Sequence, residues 1–285
     1  MRKSSRKTPV RRVSSRKKKK GMSLWLKILL WFLALFLLVG IIGYHYREAL
    51  SYYFSFKSRH STENTRTKVE GARIYQILEK HKELVFGFDV SEYQNDIDWQ
   101  QITTVEDSFA LRFVFIRATA GSDKIDAQFE RNWNLSKKYG FIRGAYHYYR
   151  PNENSLQQAD NFIATVHLEK GDFPPVLDIE KLPQKQSIDS LKVGLRRWLT
   201  RVEKHYKMRP IIYSGESYYN DFLKGEFKNY TFWVANYNFF VENLKDDWQF
   251  WQFTEKAHVQ GIQGNVDINI YNGTPKMLEY FRQAK

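Results

Sequence analysis

The chain has 285 residues, enough for one large domain with additional segments. Its formal net charge of +14 arises almost entirely from residues 1–47, which hold 13 Lys and Arg and no acid, whereas the rest carries 32 bases against 31 acids. This near-neutral remainder excludes a fold that binds nucleic acid through its own surface, because such a fold needs a basic patch on the domain itself. The sequence contains no cysteine, which excludes disulfides and thiol chemistry.

Residues 1–22 are predicted to form a solvated basic cytoplasmic tail, because they have too few apolar side chains to bury a core. Residues 23–44, "SLWLKILLWFLALFLLVGIIGY", contain one charge, Lys27. They predict a transmembrane helix, since about 20 apolar residues span the hydrocarbon of a bilayer. The alternative is a cleaved signal peptide, whose apolar core is usually about 7–15 residues long and ends in a small-x-small site. We favour the uncleaved anchor, because the apolar segment is longer than the core of a signal peptide.

The charges around the apolar segment predict its orientation. Eleven Lys and Arg precede it, so the positive-inside rule places the N-terminus in the cytoplasm. The expected location is the cell membrane, crossed once, with the chain beyond Tyr44 on the periplasmic or extracellular face. Residues 45–83 are predicted to form a stalk or leader helix that either packs on the following domain or holds it away from the membrane. Its apolar residues recur at helical spacing: Val69, Ile74, Ile77 and Leu78.

Residues 84–285 form the main domain, in which strands alternate with helices. Eight strands are predicted, at 84–90, 112–119, 141–149, 174–180, 210–215, 231–237, 248–253 and 266–271. Helices are predicted at 126–139, 155–168 and 188–207, and the gaps between the last three strands are too short for crossover helices. Repeated strand–helix units with eight strands indicate an α/β fold, an irregular β/α barrel rather than an open sheet.

Acidic residues fall at the strand ends where such barrels carry their chemistry. Asp89 and Asp267 lie on the first and last strands, and "PPVLDIE" ends in Asp178 and Glu180. An i, i+2 pair on a strand shares one face. Two neighbouring carboxyl groups raise each other's pKa, and a carboxyl group that stays protonated near neutrality is what general acid catalysis requires. A D-x-E pair alone is more often a solvated strand end, but the other two acids favour a site.

Aromatic residues cluster at the same strand ends. They are candidates for stacking on the apolar faces of sugars, although half of the residues on each strand must instead pack the core. The candidates are Tyr146, Tyr148, Tyr213, Trp233, Tyr237 and Trp251. His147 is interpreted as a core or hydrogen-bonding histidine, because no H-x-x-x-H, H-E-x-x-H or Cys/His set accompanies it as a metal site would require.

Several segments together resemble glycoside hydrolase family 25, the Chalaropsis-type lysozymes or N-acetylmuramidases. They run in family order from about Val85 to Gly273. The segments are "GFDVSEYQNDIDW" (87–99), "FVFIRATAGSDKIDAQFERNW" (113–133), "GAYHYY" (144–149), "PPVLDIE" (174–180), "PIIYSG" (210–215) and "WQFTEKAHVQGIQGNVDINIYNG" (251–273). The chain departs from the family's usual A-T-E-G at "ATAG", where Ala120 stands in place of a frequent acid.

The resemblance implies a barrel of eight strands and five helices that hydrolyses the β-1,4 bond between N-acetylmuramic acid and N-acetylglucosamine in peptidoglycan. By motif position it implies that Glu180 is the catalytic acid, Asp178 its partner, and Asp89 and Asp267 the flanking acids. It implies no metal or other cofactor. The expected partners are peptidoglycan glycan strands and, through the N-terminal helix, the membrane. No nucleic acid is expected, and the protein is expected to be a monomer.

Two questions stay open at this point. The nucleophile is either Asp178 or the substrate's own 2-acetamido group, with Asp178 assisting it; we prefer the second, and the stereochemical outcome is undecided. The alternative function is a non-catalytic, membrane-anchored peptidoglycan-binding domain on the same fold, because a fold by itself does not establish activity. The presence of all four acids favours the enzyme.

Overall fold

The computed structural model describes residues 23–45 and 65–283, which belong to two separate compact units. In the first unit, helix α1, Leu24–His45, has no buried residue and is long and apolar enough to cross a membrane. The predicted basic tail, residues 1–22, and the segment 46–64 lie outside the described residues.

In the second unit, helix α2, Thr65–Lys80, packs on the barrel through one apolar face. Ile74, Ile77 and Leu78 are buried in the same hydrophobic cluster as strand residues of the barrel, whereas Val69 is exposed. Of the two alternatives for this segment, packing on the domain is therefore the one observed for residues 65–80.

Eight strands form a closed barrel, as expected. They are β1 (Val85–Val90), β3 (Phe109–Ala120), β5 (Ile142–Tyr148), β6 (Val176–Asp178), β7 (Ile211–Gly215), β8 (Thr231–Ala235), β9 (Phe250–Ala257) and β10 (Val266–Tyr271), and the short strands β2 (Thr104–Val105) and β4 (Lys124–Ile125) pair with β3. Around the barrel, from β1 to β3 and then through β5 to β9, each strand is parallel to the next, whereas the short strands β2 and β4 run antiparallel to β3. Strand β10 closes it by pairing antiparallel to both β9 and β1.

Helices cover the outside between the earlier strands. They are α3 (Phe129–Lys138), α4 (Ser155–Thr165) and α5 (Ile188–Tyr206), followed by a short helical segment (Glu216–Tyr218, continuing as a π turn over Tyr219–Leu223) and the C-terminal α6 (Pro275–Gln283). The α4 and α5 helices begin at side-chain caps, Asn154 and Ser187, which accept hydrogen bonds from free backbone N–H groups of the first turn. The described residues between β8 and β9 and between β9 and β10 contain no helix, as the short gaps predicted.

Large aromatic side chains fill the barrel interior. Phe113 and Phe115 point inward from β3, and Phe115 stacks on Trp233 with ring centroids 4.5 Å apart. Space for them comes from two glycines on neighbouring strands. A Cβ atom at Gly87 would lie 2.4 Å from the Phe113 ring, and one at Gly144 would lie 2.5 Å from the Phe115 ring. The interior is therefore a packed floor beneath the barrel mouth rather than a pore.

Substitutions on the two faces of α2 test whether this helix is part of the domain core. Ile77→Ala should lower the free energy of unfolding by about 2–5 kcal/mol, because it leaves a cavity beneath a fully buried side chain. Val69→Ala, on the exposed face, should change it by less than about 0.5 kcal/mol. Denaturant unfolding of the detergent-solubilised protein measures both. Equal, small effects would show that α2 is only a spacer.

Candidate active site

The carboxyl ends of the parallel strands open into a cleft of about 260 Å³. All four acids predicted from the sequence line it. Asp89 comes from β1, Asp178 from β6, Glu180 from the residues that follow β6, and Asp267 from β10. The barrel thus brings together carboxyl groups that are up to 178 positions apart in the chain.

Strand β6 positions the central pair. It is shorter than predicted, with Val176–Asp178 in place of 174–180. It starts later because Pro174 and Pro175 have no N–H to donate to a strand ladder. The alternation of side chains between the two faces nevertheless continues beyond Asp178, because the Ile179 N–H donates to the Tyr213 carbonyl of β7 at 3.0 Å. Ile179 is buried in the outer hydrophobic cluster, so Asp178 and Glu180 both lie on the side of the cleft.

The Asp178 carboxyl group is buried and incompletely paired. Asp178 is 5% exposed, and the Oδ1 atom of its side chain has no hydrogen-bond partner within the described chain. Burial raises its pKa well above the ordinary aspartate value, and the charges of Glu180 and Asp89 add to this, while Arg117 opposes it. An acceptor atom that lacks a partner and faces a cleft is suited to receive a hydrogen bond from a ligand.

Glu180 is the more accessible member of the pair. The residue as a whole is exposed, yet its carboxyl group lines the cleft and its pKa is raised, chiefly because the cleft walls remove water from the carboxylate. Contact with the Tyr213 side chain and the charge of Lys181 oppose the shift. The side chain therefore combines a raised pKa with access from outside, which is the combination a proton donor to a bound molecule needs.

Asp89 is held by two side-chain amides. Its Oδ2 atom accepts hydrogen bonds from Gln252 Nε2 and Asn269 Nδ2, each at 2.7 Å. Burial raises the pKa of Asp89 to about 7 despite these two bonds, which lower it. Asn269 in turn accepts a bond from the Trp233 indole N–H at 2.8 Å, so the position of Asp89 is tied to the aromatic floor.

Asp267 faces Asp89 across the antiparallel pairing of β1 and β10, where the two residues are direct partners. Burial raises the pKa of Asp267 to about 9, and the charges of Asp89, Glu255 and Glu180 contribute further. Like charges opposite one another on neighbouring strands destabilise a sheet. The pairing of Asp89 with Asp267 therefore costs stability, and packing alone does not explain it.

Five of the six predicted aromatic residues line the cleft: Tyr146, Tyr148, Tyr213, Trp233 and Tyr237. Trp251 does not. It is fully buried in the outer layer, and its indole N–H donates to the Asn236 carbonyl at 3.0 Å. The reason is strand parity, because Phe250 lies in the barrel interior and Gln252 at the cleft, so the residue between them points outward.

Sequence reasoning missed several polar residues of the cleft. Gln252 accepts hydrogen bonds from the hydroxyls of Tyr213 at 2.7 Å and Tyr237 at 2.5 Å while donating to Asp89. Arg117, on β3, lines the cleft beneath the exposed Tyr93 ring, 4.6 Å from its centroid. A polar residue at an inward position of an otherwise apolar strand is the signal that identifies such side chains.

Arg117 is neutralised locally. Its guanidinium pairs with Glu92 at 3.0 Å and with Asp126 at 2.8 Å.

His147 was interpreted from the sequence as a core or hydrogen-bonding histidine. It is fully buried against Thr119 and Gln158, and burial lowers its pKa to about 4. Among the described residues no group of three or more His, Cys, Asp and Glu side chains is placed to hold a metal ion.

Comparison with known proteins places this cleft in a family. The model for "Glycosyl hydrolases family 25" matches residues 88–262. The chain is 42% identical over 201 residues to YegX of Escherichia coli K12, covering 69% of this chain and 73% of YegX. It is 32% identical over 209 residues to Lysozyme M1 of Streptomyces globisporus, covering 68% and 70%. The solved bacterial lysozyme of Streptomyces coelicolor shares the fold with a TM-score of 0.62 at 29% identity, covering 70% of this chain and 97% of that chain.

The family match covers more than half of the chain and includes the strand ends that carry Asp89, Asp178 and Glu180. The eight-stranded barrel agrees with the solved relative over nearly its whole length. This chain therefore belongs to glycosyl hydrolase family 25 and is a glycoside hydrolase.

Proposed function

We propose that the protein is a lysozyme that hydrolyses the β-1,4 bond from N-acetylmuramic acid to N-acetylglucosamine in peptidoglycan. The observation that carries this proposal is the pairing of Asp178 and Glu180, both with raised pKa values, in a cleft walled by aromatic side chains. The names of the similar proteins, Lysozyme M1 and the Streptomyces coelicolor lysozyme, support the choice of substrate.

Glu180 acts in this proposal as the general acid. Cleavage of a glycosidic bond leaves an alkoxide-like oxygen that needs a proton as the bond to the anomeric carbon breaks. The raised pKa keeps a proton on Glu180 at a higher pH than an ordinary glutamate would retain it. Its exposure at the cleft allows direct transfer to the leaving oxygen.

Asp178 assists the 2-acetamido group of the sugar in the same proposal. That group attacks the anomeric carbon through its carbonyl oxygen, so positive charge develops at its nitrogen while the N–H needs an acceptor. The unpartnered Oδ1 atom of Asp178 supplies one. The competing assignment, Asp178 as direct nucleophile, uses the same residue but gives it a covalent bond to the sugar. We prefer assistance, because the free Oδ1 matches a hydrogen-bonding role.

In this proposal the remaining cleft residues bind substrate and adjust the pKa values of the pair Asp178 and Glu180. The charge of Asp89 raises the pKa of Asp178 and so favours retention of a proton by the pair. Asp267, at the rim of the same cleft, binds substrate in this proposal. Five aromatic residues offer ring faces to the sugars, and the four tyrosines among them also offer hydroxyl groups: Tyr146, Tyr148, Tyr213, Trp233 and Tyr237.

The apolar helix α1 serves as an uncleaved anchor in this proposal. Its 22 residues have the length and composition of a membrane span, and the basic residues 1–22 precede it. The catalytic domain then acts on the wall from the outer face of the cell membrane, as a monomer.

Substitution of the acidic pair tests the chemistry. Glu180→Gln should lower the rate of wall hydrolysis by about 10²–10⁴-fold without loss of fold, because it removes the transferable proton. Asp178→Asn should also lower the rate while wall fragments still bind. Glu130→Gln, on the outer helix α3, is the matched control and should leave the rate unchanged.

An aryl glycoside with a good leaving group separates the two roles. Such a substrate needs little protonation, so it should partly rescue Glu180→Gln and should not rescue Asp178→Asn. Initial rates on this substrate and on purified wall measure the difference. Wall hydrolysis by Glu180→Gln at the wild-type rate would remove the basis of the proposal, and wall binding without cleavage by the wild type would identify a binding domain instead.

The pH dependence of the reaction should report Glu180. A general acid must be protonated, so kcat/KM should fall as pH rises through the raised pKa of Glu180. Because the Lys181 charge opposes that raised pKa, Lys181→Gln should raise it further and move the alkaline limb of the profile to higher pH. Profiles at low and high salt measure the shift, which should shrink when salt screens the exposed lysine. A limb that moves to lower pH would contradict the assignment.

Protease protection tests the anchor. Protease added to intact spheroplasts should remove the barrel domain and leave residues 1–22 with α1 in the membrane fraction. Detection by antibodies against each part, with a cytoplasmic protein as the control for intact cells, shows which part is accessible. A mature protein that begins beyond residue 44 and is free of the membrane would identify α1 as a signal peptide.

A further inference from the structure

Helix α2 precedes the region that the family model matches, which begins at residue 88. It nevertheless reaches the segments that border the cleft. The Arg73 guanidinium donates to three backbone carbonyls far away in the sequence: Asn238 O at 2.9 Å, Phe253 O at 3.0 Å and Phe239 O at 3.4 Å. One side chain therefore ties the loop after β8 to strand β9.

The three carbonyls flank a pair of cleft residues. Asn238 and Phe239 directly follow Tyr237, and Phe253 directly follows Gln252. Tyr237 and Gln252 are themselves joined, because the Tyr237 hydroxyl donates to Gln252 Oε1 at 2.5 Å. Gln252 also donates to Asp89. Arg73 thus bridges the two segments one residue outside the place where their side chains meet in the cleft.

The loop between Ala235 and Phe250 depends on such external contacts, since it contains no helix or strand. A second tie comes from the same helix. The Glu242 carboxylate accepts hydrogen bonds from Gln76 at 3.2 Å and Lys80 at 3.1 Å, and the His81 ring contacts the Glu242 carbonyl at 2.8 Å. The outer side of the loop is therefore held by the C-terminal half of α2 and by the residue that follows the helix.

We propose that Arg73 is a positioning residue for the active site, holding Tyr237 and Gln252 at the spacing in which both contact the substrate cleft. The planar guanidinium presents five donors in a fixed fork, which lets it serve three carbonyls at once with donors to spare. The inference rests on the proposed function, in which Tyr237 binds sugar. Its consequence is that a side chain of α2, which lies outside the barrel, affects the affinity for glycan.

Hydrogen–deuterium exchange of the full-length protein in detergent tests the contact without any substrate. The N–H groups of Asn236 and Phe240 are hydrogen-bonded to Gln252 O and Asn238 Oδ1, at 3.0 Å each, so their exchange reports opening of the loop. Arg73→Met should raise exchange in peptides covering 236–242 and 252–254. Lys82→Met removes a cation just beyond α2 that pairs with Glu79, and it should not. Unchanged exchange in Arg73→Met would overturn the inference.

A double-mutant cycle tests the consequence for glycan binding. Arg73→Met should raise KM for soluble glycan on the order of tenfold with little change in kcat, and Arg73→Lys should recover part of the loss. In a Tyr237→Phe background, the further effect of Arg73→Met should fall to about twofold or less, because the hydroxyl link to Gln252 is already gone. If Arg73→Met raised KM by the same factor in the wild type and in the Tyr237→Phe background, Arg73 would act only on stability.

The two outcomes are distinguishable from failure of the proposed function. If the wild-type protein does not cleave glycan, the lysozyme proposal fails, and the exchange experiment still decides whether Arg73 holds the loop. If the wild type cleaves glycan and Arg73→Met has the wild-type KM, the positioning role fails while the lysozyme proposal stands.

Discussion

The crowding of carboxyl groups at the barrel mouth is the constraint on which the site depends. Closing the sheet through β10 places Asp267 directly opposite Asp89, and the end of β6 adds Asp178 and Glu180 to the same cleft. Removal of water from these groups raises all four pKa values, and the charges of neighbouring carboxylates add to the shift at Asp89, Asp178 and Asp267. A fold selected for stability alone would avoid this arrangement, because burying unpaired charge costs free energy.

The rest of the domain makes that arrangement tolerable. The aromatic floor beneath the mouth is packed tightly enough to require glycine at positions 87 and 144. Trp233, part of that floor, donates to Asn269, and Asn269 donates to Asp89. Gln252 completes the support by joining Asp89 to two tyrosine hydroxyls. The hydrophobic core and the polar site are thus linked through a short chain of hydrogen bonds.

Local patterns in the sequence predicted much of this structure. Alternating strands and helices indicated the eight-stranded barrel, and the spacing of Asp178 and Glu180 indicated a shared face, because both features depend on periodicity alone. Trp251 was placed at the cleft by its position near a strand end, but a shift of one residue sends a strand side chain to the opposite face. Contacts such as Arg73 to Asn238, 165 positions apart, follow from chain closure and leave no local pattern.

The proposed function requires that this cleft cut one particular bond of peptidoglycan. Mass spectrometry of purified wall digested by the protein, with the products reduced by borohydride, tests it most directly. The proposed reaction gives fragments whose new reducing ends are N-acetylmuramic acid, formed by the wild type and lost in Glu180→Gln. New reducing ends on N-acetylglucosamine, or release of peptides without glycan cleavage, would contradict it.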